Sequence, residues 1–411
     1  MDISALTSAV EAALAQLTSR LPTVANGGRR PVELQEAILE HELSQAIQGV
    51  LAAQEEFAHP RMVRSLSGAT GFHARFVAPM LLRQARSRES AAAAVAWLQK
   101  VLCTERASGI AVATFWGLKP EAPVALPDDV QLMPFDSLPP SRQKEALSEQ
   151  NLDAWPRLAT PPFAWQAPTA ALIRSAIIKP YLMHAGDDFQ SSDAAYYSAL
   201  FADVLLCLAT SGPSAIVGGR SWFQYTDPDL EAALLGSSTQ LAHQEITPLV
   251  LEDRGEFDLE RATTLLRDFA RLNSGLKNRA RTAMQRLGQA CLRRGPADRA
   301  LELAIALEAL LVESPGEHTF KIGLRAALLT SNDLDQRRRN RAIIEAMYKI
   351  RSSLLHSGQS GDTWMVRGYG EMQTTEIVSE AVRIAALVIQ RVVGFGTVPD
   401  WGSLELSSPT N

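Results

Sequence analysis

The sequence predicts a mainly α-helical protein in three parts. These are an N-terminal helical region over 1–106, an irregular α+β module over 107–255 and a helical bundle over 256–395, with a flexible tail over 396–411. Three observations predict it. Apolar residues recur at helical spacing through most of the first hundred residues and again from Asp258 onward. Between those stretches, prolines break up short runs rich in β-branched and aromatic residues. At 411 residues, 46% apolar and 21% charged, the chain has the length and composition for two or three domains, each with its own core.

The first helix is marked by Ile3, Leu6, Val10, Ala13, Leu14, Leu17 and Leu21, and Pro22 with the Asn26-Gly27-Gly28 turn ends it. A second helical pattern, rich in Glu and Gln, covers 32–57. Residues 58–88 gather His59, Arg61, Arg64, His73, Arg75, Arg83, Arg86 and Arg88. A solvated face is the usual fate of such a cluster, with phosphate binding as the functional reading. The alanine-rich run after Ser90 is a strong helix former.

The texture changes near Gly109. Gly109–Trp116 reads as a buried strand, Val124–Pro127 and Val130–Phe135 as short extended pieces, Ala170–Tyr181 as a strand-like or mixed segment, and Ser214–Tyr225 as a further strand. Ala194–Ala209 is a helix, and Pro228 opens a short one. His184 with Asp187 and Asp188 has no metal-ligand spacing and is expected in a surface loop. Gly218-Gly219 is expected to be a turn, since no phosphate-loop or dinucleotide fingerprint follows it.

From Asp258, an N-cap residue by type, the helical period persists. Helices are expected over Asp258–Leu272, Leu276–Arg294, Ala297–Val312, Phe320–Leu329, Asn332–His356 and Thr374–Val393. The last is apolar nearly all round, which places it in a core or an oligomer interface.

The formal charge of −5 hides an asymmetry. Residues 257–411 hold 21 Lys/Arg against 17 Asp/Glu, a net of +4; the preceding residues hold the remaining 19 against 28, a net of −9. The C-terminal part is thus the better partner for a polyanion. The three cysteines, Cys103, Cys207 and Cys291, have no CxxC or Cys/His spacing and exclude an even disulfide framework. No apolar run is long enough to span a bilayer and no basic-then-apolar leader opens the chain, so a cytoplasmic, membrane-free protein is expected.

One stretch carries writable chemistry: Glu345-Ala-Met-Tyr348-Lys-Ile-Arg351-Ser352-Ser-Leu-Leu-His356-Ser-Gly358, at the end of the longest C-terminal helix. A guanidinium and an imidazole are the minimum for cleaving RNA without a metal. The ribose 2′-OH attacks the adjacent phosphate, the histidine moves protons, and the arginine offers paired donors to the phosphoryl oxygens. Positions five apart on a helix differ by roughly 140° in direction, so the pair shares a cleft only where the helix unwinds toward Gly358.

The Tyr348-x-x-Arg351-Ser352-x-x-x-His356-Ser357-Gly358 string resembles the Apea-like branch of the HEPN superfamily, and Leu307-Glu308-Ala309-Leu310-Leu311 resembles the family's preceding helix. In two places the string differs from the family's usual one. Ser352 stands where many active members have Asn, Asp or His, and Ser357 separates the histidine from the glycine. The resemblance covers about residues 257–395. It implies a HEPN-like bundle that homodimerises and pools residues of two protomers into one endoribonuclease site needing no cofactor and no metal. Arg351 and His356 would be catalytic, with Tyr348, Ser352 and Glu308 as supporting motif. Arg337, Arg338, Arg339 and Arg341, upstream on the same helix, would hold the RNA backbone. The resemblance implies a role in bacterial defence or a toxin-like system, with the N-terminal modules sensing a trigger or holding a protein partner. A second function class fits the same residues: a non-catalytic module for dimerisation or for binding RNA or a nucleotide.

Overall fold

The computed structural model describes residues 1–20, 29–66, 68–149, 167–184, 192–234, 240–241, 258–312 and 318–406. Helices dominate, and none among the described residues is long and apolar enough to cross a membrane.

The chain opens with α1 (Ile3–Arg20), α2 (Arg29–Ala52), the strands β1 (Arg61–Arg64) and β2 (Ala69–Phe72), then α3 (Ala74–Ser87) and α4 (Ala91–Cys103). The α1 stripe Leu6, Val10, Ala13 and Leu17 is buried against α2, α3 and α4, as its 3-to-4-residue spacing requires. Ser90 caps α4, its hydroxyl accepting from the Ala93 amide at 3.2 Å.

Next come β3 (Ala107–Trp116), β4 (Val124–Ala125), β5 (Val130–Pro134), α5 (Arg142–Glu149), β6 (Ala170–Ile178), β7 (Leu182–His184), α6 (Ser192–Ser211), β8 (Val217–Tyr225), α7 (Pro228–Glu231) and β9 (Gln240–Leu241). The strands form a three-stranded sheet in the order β2-β1-β7 and a six-stranded sheet in the order β4-β5-β6-β3-β8-β9. In the smaller sheet both pairings are antiparallel, and Arg61 stands opposite Phe72 on one side and His184 on the other.

The rest is helical: α8 (Leu259–Arg271), α9 (Ser274–Leu292), α10 (Pro296–Leu311), α11 (His318–Thr330), α12 (Leu334–Ser357), the hairpin β10 (Thr363–Val366) and β11 (Gly370–Gln373), α13 (Thr374–Phe395) and α14 (Trp401–Leu406). Side chains of Asp258, Asn273 and Asp333 cap α8, α9 and α12. The all-round apolar α13 packs against α8, α9, α10, α11 and α12, and is the central helix of this bundle.

The chain divides into two compact units. One comprises Met1–Val112, Arg174–Tyr197 and Ser221–Gln240, and the other Ala113–Ile173, Ser198–Arg220 and Leu241–Asn411. Strands β3, β6 and β8 each run through a boundary between them. Two expectations need correction. Gly218-Gly219 is no turn: both lie within β8, and Gly219 is needed because a Cβ there would stand 2.6 Å from the Thr114 hydroxyl. The tail after Phe395 is not wholly irregular, since α14 forms over 401–406; Trp401 is buried, with the Arg325 guanidinium 4.6 Å over its ring and Arg325 Nε 2.7 Å from Glu405. His184 ends strand β7, while Asp187 and Asp188 lie outside the described residues.

Candidate functional site

Helix α12 outlasts its own core. Its buried residues begin at Asn340 and stop at Ile350, and the residues after it, Arg351–Ser357, are half-buried to exposed. Gly358 stops the helix with φ +69°, the left-handed conformation in which its amide reaches the Leu354 carbonyl at 2.9 Å. Serines tie the exit turn. Ser357 Oγ donates to the Ser353 carbonyl at 2.7 Å, and Ser353 Oγ to the Gln359 carbonyl at 2.9 Å.

The motif residues divide into two groups. Tyr348, Arg351 and Glu308 come together. Glu308 Oε1 accepts from the Tyr348 hydroxyl at 3.3 Å and lies 3.8 Å from Arg351 Nη1. The Tyr348 hydroxyl also reaches the Ala304 carbonyl at 3.4 Å. Tyr348 is 4% exposed, and burial, with the Glu308 carboxylate adding to it, pushes its phenol well above the ordinary value. Arg351 lies 5.8 Å from the Tyr348 ring centre, and its Nε is buried with no hydrogen-bond partner among the described residues.

Glu308 is held in place from behind. Three carbonyls at the end of α10 accept from Arg279: Ala309 at 2.8 Å, Leu310 at 2.9 Å and Val312 at 3.4 Å. Arg325 Nη1 donates to the Leu311 carbonyl. Two cations thus satisfy the negative end of this helix. No sequence motif marked either arginine.

His356 and Ser352 form the second group. Both are exposed, and neither makes a hydrogen bond or ion pair among the described residues. They share the outer face with Lys349, since positions three, four and seven apart overlie one another. Arg351 turns inward, about 140° away in direction. The chain therefore presents its guanidinium and its imidazole on different sides of the same helix end.

The four upstream arginines each have their own partner. Arg337 Nε donates to the Ser331 carbonyl at 2.6 Å, Arg338 meets Asp335 at 3.0 Å, and Arg341 meets Glu345 at 2.8 Å. Arg339 makes a two-armed contact with Glu380 at 2.6 and 3.2 Å and lies 5.2 Å over the Tyr369 ring. Consecutive helix residues diverge by about 100°, so Arg337–Arg339 spread around the cylinder. Most of their charge is already answered.

A cleft of about 620 Å³ along α8 and α13 contains no motif residue. Asp258, Glu260 and Asp268 line it beside Arg261 and Arg391, a field unsuited to a phosphate backbone. The α12 end is the better candidate, because a polymer backbone can be engaged from an open surface and needs no enclosing pocket. Compared with protein-family models, with curated proteins and with solved structures, the chain shows no match.

Proposed function

We propose that the bundle formed by α8–α13 is a HEPN-like domain that cleaves RNA without a metal ion. Two copies of the chain would come together at the exposed end of α12. The observation that carries this reading is the division of labour at that end. Arg351 is steadied by Glu308 and Tyr348, and His356 stands exposed and unengaged beside a glycine-capped terminus. Arg351 suits the buildup of charge on a phosphoryl group, and His356 suits proton transfer. Their roughly 140° divergence favours a site in which the two residues facing one phosphate come from different protomers.

A second reading, a non-catalytic dimerisation or RNA-binding module, draws support from the ion pair with Glu308, which already occupies one arm of Arg351. The decisive experiment is cleavage of a pool of cellular RNAs in EDTA by the wild type and by Arg351→Ala and His356→Ala. Under the nuclease reading the wild type cleaves, while each variant retains its fold and dimer and loses at least about 100-fold in rate. Equal cleavage by all three would reject the assignment. RNA binding without cleavage in all three would establish the second reading.

A further inference from the structure

The unit that contains α1–α4 has a cleft of its own, also of about 620 Å³, within the range of small-molecule sites. It lies where the end of α4 meets β1 and β7. Three cationic or cationisable residues from distant parts of the sequence converge there: Arg61, Lys179 and His184. The β1–β7 register sets Arg61 directly opposite His184, joining the basic stretch of 58–88 to a histidine of the middle module. Among the described residues, Glu105 is the one carboxylate in the lining.

Most of the other arginines in that basic stretch are engaged. Arg83 and Arg86 face Glu40 at 3.8 and 3.6 Å, Arg88 pairs with Asp229, and Arg64 donates to the Lys179 carbonyl at 2.8 Å. Arg61 and Lys179 make no side-chain hydrogen bond or ion pair among the described residues, apart from a longer-range attraction of Arg61 to Glu56. Such cations, gathered over one concavity, favour a compact multivalent anion. The remaining wall is apolar, through Leu102, Pro180 and Met183, and accepts a flat body attached to that anion.

We infer that this cleft binds a nucleoside phosphate, with its phosphates on Arg61, Lys179 and His184 and its base against the apolar wall. The inference is independent of the α12 site. Cys103 supplies a footprint. It lines the cleft and is exposed, whereas Cys207 is buried and Cys291 is part-covered on α9.

The test uses the full chain and titration calorimetry with ATP, AMP, adenosine and inorganic phosphate, followed by alkylation of cysteines read peptide by peptide. ATP and AMP should bind with Kd below about 1 mM, and adenosine at least tenfold more weakly. Arg61→Gln and Lys179→Gln should each weaken ATP by about tenfold or more. Saturating ATP should slow alkylation of Cys103 and leave Cys291 unchanged. Lys179 is exposed and has no side-chain partner among the described residues, so its variant tests the cleft even if Arg61→Gln fails to fold. No binding of either nucleotide at about 5 mM overturns the inference. So does binding that both variants retain with Cys103 unprotected, which places the ligand elsewhere. Inorganic phosphate binding as tightly as ATP would remove the role given to the apolar wall and reject the nucleotide class.

Discussion

Tyr348 shows how a residue can be singled out by its place in a string while its environment stays hidden. Its place in the motif string was legible; its nearly complete burial and its sharing of one Glu308 oxygen with Arg351 were not, because both depend on α10, some forty residues upstream. The two hydroxyl contacts, at 3.3 and 3.4 Å, are long for O–H donors. Tyr348→Phe should therefore cost no more than about 1 kcal/mol in urea unfolding. Tyr348→Ala empties a packed position and should cost about 3–5 kcal/mol. A Phe variant as damaged as the Ala variant would mean that the hydroxyl, and not the ring, anchors this corner. Arg279 and Arg325 were illegible for a different reason. An arginine that satisfies another helix's last carbonyls has no local spacing to betray it.

Helices were legible where local chemistry starts and stops them. Asp258 caps α8 where its residue type predicts, and Gly358 ends α12 where a left-handed residue is needed. Elements fixed by distant partners were not legible. Helix α14 exists because Trp401 finds Arg325, and Gly219 is a strand residue because Thr114 crowds it. The two glycines therefore make a calibrated pair. At Gly358 a Cβ would meet nothing within 4 Å, so Gly358→Ala carries only the left-handed backbone penalty, about 1 kcal/mol. That should lower Tm by a few degrees and fray the end that bears His356. At Gly219 the new Cβ would lie 2.6 Å from Thr114 Oγ1 and 2.9 Å from its carbonyl oxygen. One of those atoms is backbone and cannot swing aside, so Gly219→Ala should destabilise several-fold more than Gly358→Ala. Comparable losses in differential scanning calorimetry would remove the steric account of β8.

At the scale of the whole molecule, the sequence conveyed class and charge balance but not connectivity. Helical periodicity is local, whereas membership of a compact unit depends on which strands pair. Residues 227–229, far from α4 in sequence, supply the anions for a clasp in the first unit. Lys100 Nζ lies 2.7 Å from Asp227 and 2.8 Å from Asp229, Arg88 joins Asp229, and the Trp97 indole donates to the Asp229 carbonyl at 2.7 Å. The Lys100 hydrogen bond, aided by Arg88, holds the Asp229 carboxyl below its ordinary value of 3.8 against the opposing effect of burial. Hydrogen bonds donated by Lys100 to Asp227 and then Asp229 hold its ammonium above its ordinary 10.5. A depressed carboxyl stabilises the fold above the unfolded-state value, and that contribution is lost as pH falls through the folded-state value. A raised ammonium stabilises below its unfolded-state value and loses its contribution as pH climbs past the folded-state one. The clasp is thus fully formed from about pH 4 or 5 to about pH 10. Asp229→Asn should lower Tm at pH 7, and its deficit against the wild type should shrink steadily as pH drops below about 4 and on through the depressed folded-state value. A deficit that stays constant down to pH 2 would show that Asp229 acts through packing and its main-chain contact to Trp97, with its charge contributing nothing.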